Sequence, residues 1–315
     1  MKVKFRSEER IKRMLVERLN KVDIPRSKDT IHASDLTKPE YCPRREALMR
    51  KLGYTDVGRM IAHPLRITFD LGNDIQSRVN NDWLRDVMWG HWECVQCGGV
   101  VEYSFFPTDG ACYCRDVDGS CLGGKWKYKE VRVHHSTGAS GSMDGFVVLS
   151  DDTLRMIEIK TIAPDTFKDL KMPLGEHRVR TSMYLQMLHD SKIPELASVN
   201  TEKASVLYVC RSFGFKQEDG VISPLKEFEV EREEVSAKAL LSKGQAVHQA
   251  EGSGMPCGIC KDMFDKPARS CRAVKDCFSK DYMASTTWMK SLGGKLQPYN
   301  PDMKVHFGVS DANQD

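Results

Sequence analysis

The chain has 315 residues, enough for one large domain or two ordinary ones. With 40% hydrophobic and 29% charged residues, its composition excludes disordered, collagen-like and fibrous classes. No run approaches the ~20 consecutive apolar residues of a membrane span, no apolar leader follows the charged start, and a net charge of +3 gives no general argument for nucleic acid. An intracellular protein with no membrane partner is expected, its other partners to be argued from sites.

The first segment, Met1 to Lys28, carries ten Lys/Arg and four Asp/Glu, with Ile11, Met14, Leu15, Leu19 and Val22 at helical spacing after a Ser7 cap. It reads as a basic amphipathic helix that either docks on the core or reaches for phosphates. Cys42-Pro43 opens the next helix, with cysteine at the cap and proline at the first helical position, and Gly53 ends it. Ile75, Val79, Trp83, Leu84 and Val87 share one face of a helix expected over about 73–89.

A cysteine-rich segment follows, and then Lys127 to Val133 alternates like a strand. Two further strands, Gly145 to Leu149 and Leu154 to Lys160, are joined by Ser150-Asp151-Asp152-Thr153 as a hairpin. A helix over Glu176 to His189, strands over Val206 to Cys210 and Phe228 to Val230, and a helix over Val235 to His248 complete the pattern. The mixture predicts an α/β fold with a mixed central sheet and flanking helices. The end, from about Ser279, is polar and should fray.

Eleven cysteines in a chain without an export signal favour metal use over disulfides. Cys94-x-x-Cys97-Gly98-Gly99 has the form of a zinc knuckle, and Cys121-Leu122-Gly123-Gly124 repeats its ending, with Cys112 or Cys114 completing a tetrahedral zinc site. Lys125, Lys127 and Lys129 beside it are available to DNA if the element is more than structural. A second group, Cys257, Cys260, Cys271 and Cys277, has the number and spacing of a self-contained zinc site. Cys210, in an apolar strand, reads as a buried inert thiol.

In the hairpin, the two-residue period puts Glu158 and Lys160 on one strand face, and folding about the loop brings Asp144 opposite them, with the register open by about one residue. Two carboxylates with neighbouring carbonyls suit a hard divalent cation such as Mg or Mn, and a lysine beside them can stabilise charge growing on a phosphate. The same spacing also suits a plain surface ion pair.

Gly141-Ser142-Met143-Asp144 followed by Glu158-Ile159-Lys160-Thr161 resembles the active-site motif of the PD-(D/E)XK nucleases, specifically the RecB-type exonucleases. The resemblance implies a restriction-endonuclease-like fold and a metal-dependent DNA exonuclease acting in DNA processing, recombination or repair. It makes Asp144 and Glu158 metal ligands, Ile159 a ligand through its carbonyl, and Lys160 the catalytic lysine. Gln76 falls where the family places an upstream metal ligand. His177, Arg180 and Tyr184 fall on the family's DNA-lining helix, with Arg180 in the place of a glutamine and Tyr184 counted with the catalytic group.

A subset of these nucleases, including AddB and the CRISPR-associated prespacer nuclease, carries an iron-sulfur cluster on one early and three late cysteines. On that resemblance Cys42, Cys260, Cys271 and Cys277 hold a cluster of the 4Fe-4S kind, with Cys257 as the spare and the late-cysteine zinc site as the alternative. Arg44, Arg45 and Arg178 are further phosphate contacts, the DNA being single-stranded or carrying a free end. The resemblance divides the chain into a basic N-terminal helix (1–30), a nuclease domain (31–280) with a zinc-binding insertion at about 91–127 and an iron-sulfur element at about 251–280, and a polar tail (281–315). It places the protein in the cytoplasm of a bacterial or phage-infected cell. The rival expectations are a catalytically weak DNA-binding or scaffold subunit working with a helicase or recombination partner, and a cysteine-based zinc or redox protein.

Overall fold

The computed structural model describes residues 10–19, 30–53, 63–107, 125–211, 216–217, 220–221, 223–253, 255–256, 258–260 and 264–278. In chain order its elements are α1 (Arg10–Leu19), β1 (Ile31–His32), α2 (Ala33–Leu36), α3 (Pro43–Lys51), α4 (His63–Arg78), β2 (Met88–Cys94), β3 (Val100–Phe105), β4 (Trp126–Lys129), β5 (Val131–His134), β6 (Ala139–Met143), β7 (Gly145–Val148) and β8 (Leu154–Ile162). They continue with α5 (Pro164–Asp169), α6 (Gly175–His189), β9 (Val199–Cys210), β10 (Lys216–Gln217), β11 (Gly220–Val221), β12 (Leu225–Glu231), α7 (Glu234–Ser253), α8 (Lys266–Arg269) and α9 (Val274–Cys277).

The large sheet runs β12-β9-β8-β7-β2-β3, and β4 pairs with the outer half of β2. Within it β8 and β9 are parallel and the other pairings antiparallel, so the sheet is mixed, as the pattern of strands and helices predicts. A smaller sheet, β1-β6-β5, stands beside it. Helix α6 connects the parallel pair and packs on β9 and α7. Met183, Leu185, Met187 and Leu188 are buried in the main core with Phe146, Met156 and Ala204.

Two chain segments pass from the small sheet to the large one. One breaks at Glu130, between β4 and β5, and the other at Asp144, between β6 and β7. Thus the expected single strand over Lys127 to Val133 is two strands in two sheets. The apolar positions show the cause: Tyr128, Val131 and Val133 are buried, whereas Lys129 and Glu130 are both exposed, a one-residue slip that turns the strand.

The helix expected over about 73–89 lies earlier. Helix α4 spans His63–Arg78, continues as one π turn over Val79–Trp83, and gives way to β2 at Met88. The β2 residues Met88, Trp92 and Cys94 are buried by strand alternation, with Gly90 between them, and this local period of two overrides the helical spacing. β2, β3 and β4 are strands of the large sheet, so the segment expected as an insertion at about 91–127 begins and ends inside it. Among the described residues no helix is long and apolar enough to cross a membrane.

Candidate active site

Asp144 sits at the step between β6 and β7. Gly145 pairs with Ile157, so the next register position sets Asp144 beside Glu158, the juxtaposition expected from folding the hairpin. Asp144 Oδ2 accepts from the Ile159 amide at 2.8 Å and from Lys160 Nζ at 3.1 Å. Lys160 Nζ also lies 2.7 Å from Glu158 Oε1 and donates to the Ile159 carbonyl at 2.9 Å. Asp144, Glu158, Ile159 and Lys160 therefore meet at one point.

Two glycines permit this approach. A methyl at Gly141 would stand 2.7 Å from the Tyr184 ring, and one at Gly145 would stand 2.5 Å from Met88 Cε. Tyr184 thus packs directly on β6, 4% exposed, and its hydroxyl is raised above the usual phenol range by burial and by Glu158.

Glu158 is 2% exposed, and its Oε2 is buried with no hydrogen-bond partner. Burial first and Asp144 second push its carboxyl up to about 7, against the opposing pull of Lys160 and Arg180. Burial works to lower the Lys160 ammonium, but Asp144 and Glu158 outweigh it and hold the value above the usual lysine range. Arg180 NH1 approaches Glu158 Oε1 at 3.8 Å. Lys160 Nζ bridges Asp144 and Glu158, and among the described residues no three His, Cys, Asp or Glu side chains gather as a metal site.

Gln76 contacts neither Asp144 nor Glu158 in a hydrogen bond shown by the structure. Its Nε2 donates to Glu130 Oε1 at 2.9 Å. Burial and then Asp144 raise the Glu130 carboxyl, whereas the Gln76 hydrogen bond lowers it. Glu130 and Asn80 were both missed by motif reading. Asn80, in the π turn and 4% exposed, donates from Nδ2 to the Asp144 carbonyl at 2.8 Å, and Asn81 Oδ1 accepts from the Tyr128 amide at 2.6 Å. The adjacent amides pin both strand corners to α4, and π turns of this kind recur at functional sites. The signal for Glu130 was the two consecutive polar residues at the strand break. No sequence feature marks the π turn.

His177 is buried in the turn where α6 begins. Its Nδ1 meets the Tyr208 hydroxyl at 2.8 Å, and that hydroxyl also accepts from the Leu174 amide at 3.0 Å. The hydroxyl can give its proton to Nδ1 of the neutral ring, and Nε2 lies 3.4 Å from Glu176 Oε1. Burial, followed by Lys160 and Arg180, lowers the ring to about 3. Arg44 is also buried, at 4% exposure, and its NH2 donates to the Cys277 carbonyl at 3.3 Å, tying α3 to α9. Arg45 is half-buried on the same helix.

Cys42 caps α3 with Pro43 at its first position, its Sγ accepting from the Arg45 amide at 3.4 Å. Burial and then Cys42, Asp265, Cys271 and Cys277 push the Cys260 thiol up to about 11. Cys277 is raised by burial, lowered by Arg44, and raised again by Cys42 and Cys271. The early cysteine and the three late ones are therefore electrostatic neighbours across more than 200 residues of chain. Cys257 lies outside the described residues.

At the other cysteine group, Cys94 ends β2 buried, and Cys97 is exposed in the turn to β3. The Gly99 amide points at Cys97 Sγ at 3.4 Å, and Gly98 adopts φ +72°, a left-handed form that glycine allows. Cys112, Cys114 and Cys121 lie outside the described residues. Cys210 is a buried free thiol in β9.

No family model matches the chain, and no curated protein matches it. Among solved structures the chain is similar to one described as "Crystal structure of SSO0001", with a TM-score of 0.31 and 16% identity over 77% of this chain and 85% of that one.

Proposed function

We propose that the chain is a metal-dependent DNA exonuclease of the RecB type within the PD-(D/E)XK superfamily, working in DNA processing, recombination or repair. The observation that carries this reading is the convergence of Asp144, Glu158 and Lys160 from two adjacent strands, with one oxygen of a 2%-exposed carboxylate left without a partner. A buried surface-type ion pair would satisfy both oxygens, because an unpaired buried polar atom is costly.

The donor set fits a hard divalent cation: carboxylates of Asp144 and Glu158 and the carbonyl of Ile159, all oxygen. When bound, Mg or Mn supplies activation of a water and neutralisation of phosphate charge. The chain's own groups do the rest. Lys160, kept protonated between two carboxylates, is a donor to the phosphate and not a base. Arg180, beside Glu158 and partly exposed, holds the neighbouring phosphate, with Arg45 and Arg178 further along. Tyr184 closes the inner wall over Gly141 and excludes water from that side. The reaction adds a water oxygen to phosphorus and breaks one phosphorus-oxygen ester bond of the DNA end.

Cys42, Cys260, Cys271 and Cys277 fit an iron-sulfur cluster by the chemistry of their donors, four thiols of which Cys260 feels the other three as neighbouring charges. Cys94 and Cys97 fit half of a zinc site. A DNA-binding or scaffold subunit is the second reading, favoured by the cationic Lys160 and Arg180 filling the acidic point.

The test is Mg- and Mn-dependent digestion of end-labelled single- and double-stranded DNA by the wild type, Glu158→Ala and Lys160→Ala. Digestion by the wild type that is lost in both variants, with unchanged circular dichroism, is the expected result. A wild type that binds DNA but never shortens it overturns the nuclease reading in favour of the scaffold.

A further inference from the structure

Glu130 is the side chain at this corner to which neither motif nor mechanism gives a role. Val131 pairs with Met143 and Arg132 with Ser142 in the antiparallel β5-β6 ladder. The ladder ends at the pair of Val131 and Met143; carried one residue further, its register puts Glu130 opposite Asp144, where both strands leave the small sheet. The facing is fixed too: Arg132 Nε donates to Ser142 Oγ at 3.3 Å, so these positions share a face, and alternation returns Glu130 and Asp144 to it. Directly opposed side chains stand about 4.5–5.5 Å apart at Cβ.

By these extended registers Asp144 has Glu130 on its β5 side and Glu158 on its β8 side. Like charges repel, and one oxygen of the three carboxylates, Glu158 Oε2, has no hydrogen-bond partner, whereas Asp144 Oδ2, Glu158 Oε1 and Glu130 Oε1 each have a donor. The three side chains do not gather as a metal site in this conformation, so Glu130 has to turn inward to join the other two. Gln76 turns its amide N–H toward Glu130 at 2.9 Å and so holds that carboxylate at the edge of the group.

We infer that Glu130 is the third acidic ligand of the divalent-cation site, and that Gln76 acts as the positioning residue that presents it. This rests on the nuclease reading. The upstream amide thereby gains a different role, since Gln76 delivers a carboxylate from the β4-β5 break instead of meeting the cation itself. Glu130 is exposed, so its side chain is free to swing toward Asp144 and Glu158 were a cation to share their negative charge with Lys160.

The experiment is Mn titration of the full chain, with free Mn read by electron paramagnetic resonance, on the wild type, Glu130→Gln, Gln76→Ala and Glu158→Gln, beside DNA digestion. Loss of a supporting hydrogen bond to a metal ligand costs about tenfold or more in affinity. Gln76→Ala is expected to weaken Mn binding by about that factor, Glu130→Gln by at least as much, and both melt like the wild type. A wild type that binds Mn and digests DNA, with both variants titrating like it, overturns the Glu130 assignment and leaves the nuclease standing. A wild type that binds no Mn and digests nothing sinks both. If Glu130→Gln melts early, Gln76→Ala alone decides, because it leaves every carboxylate in place.

Discussion

His177, expected on the DNA-lining helix, is buried against the Tyr208 hydroxyl, and that burial has a consequence for stability. The groups facing it are the Tyr208 hydroxyl from β9, Lys160 from β8, and Glu176 and Arg180 from its own helix. Its ring is lowered to about 3, so the folded protein refuses a proton that the unfolded chain accepts near 6.5. More protons on the unfolded state mean that stability falls as pH drops from about 6.5 toward 3. Between pH 7.5 and 5.5 the wild type should lose about 1 kcal/mol more than His177→Gln, as one pH unit below 6.5 is worth about 1.4 kcal/mol. Urea unfolding at the two pH values checks this, and equal losses in both proteins would refute it. At this scale Asp144, Glu158 and Lys160 were legible because their spacing is local and strand geometry supplies their facing. The partners of His177 and Gln76 were not, since Tyr208 and Glu130 reach them from other strands.

Cys42 has two separable jobs on its element. As cap of α3 it accepts from the Arg45 amide through sulfur at 3.4 Å, a long and weak contact for which a hydroxyl would substitute well. As the early member of the cysteine group it offers a thiol that no hydroxyl replaces. Cys42→Ser is thus expected to keep the metal-free stability within about 1 kcal/mol while abolishing visible iron-sulfur absorption, and Cys42→Ala to lose both. Anaerobic purification with absorption spectra and denaturant curves reads the two effects. A Ser variant that keeps its colour would remove Cys42 from the cluster. The start of this helix was legible, because Cys42-Pro43 is a local signal. Helix α4 was misplaced because Trp83, Leu84 and Val87 continue its apolar spacing although the chain has already turned through Asn80 and Asn81 into β2. The split of β4 from β5 carried a visible signal, the consecutive polar pair Lys129-Glu130, which periodic alternation on either side concealed.

Across the whole molecule, the two cysteine groups are carried by different parts of the fold. Cys94 and Cys97 belong to the β2-β3 turn of the large sheet. Cys42 and Cys277 sit on α3 and α9, which pack on each other, with α3 also against α7 beside the small sheet. Nothing in sequence order made this separation legible, since Cys42 is closer in the chain to Cys94 than to Cys277. On the proposed reading, with iron at one group and zinc at the other, the two sites should behave independently. Cys97→Ser is expected to drop zinc and keep iron, and Cys271→Ser to drop iron and keep zinc, as read by elemental analysis. The consequences for stability differ as well. Arg44 and Cys277, which meet through a 3.3 Å hydrogen bond to the Cys277 carbonyl, are 233 residues apart. A cluster joining the same two elements closes that loop in the unfolded chain, a restraint worth about 5 kcal/mol by the relation that holds for covalent cross-links. Iron-free Cys271→Ser should therefore unfold at distinctly lower urea, with α8 and α9 the first segments cut by protease. If the iron-loaded and iron-free proteins unfold together, no cluster fastens α3 to α9, and the packing of the two helices with the Arg44 hydrogen bond accounts for that closure.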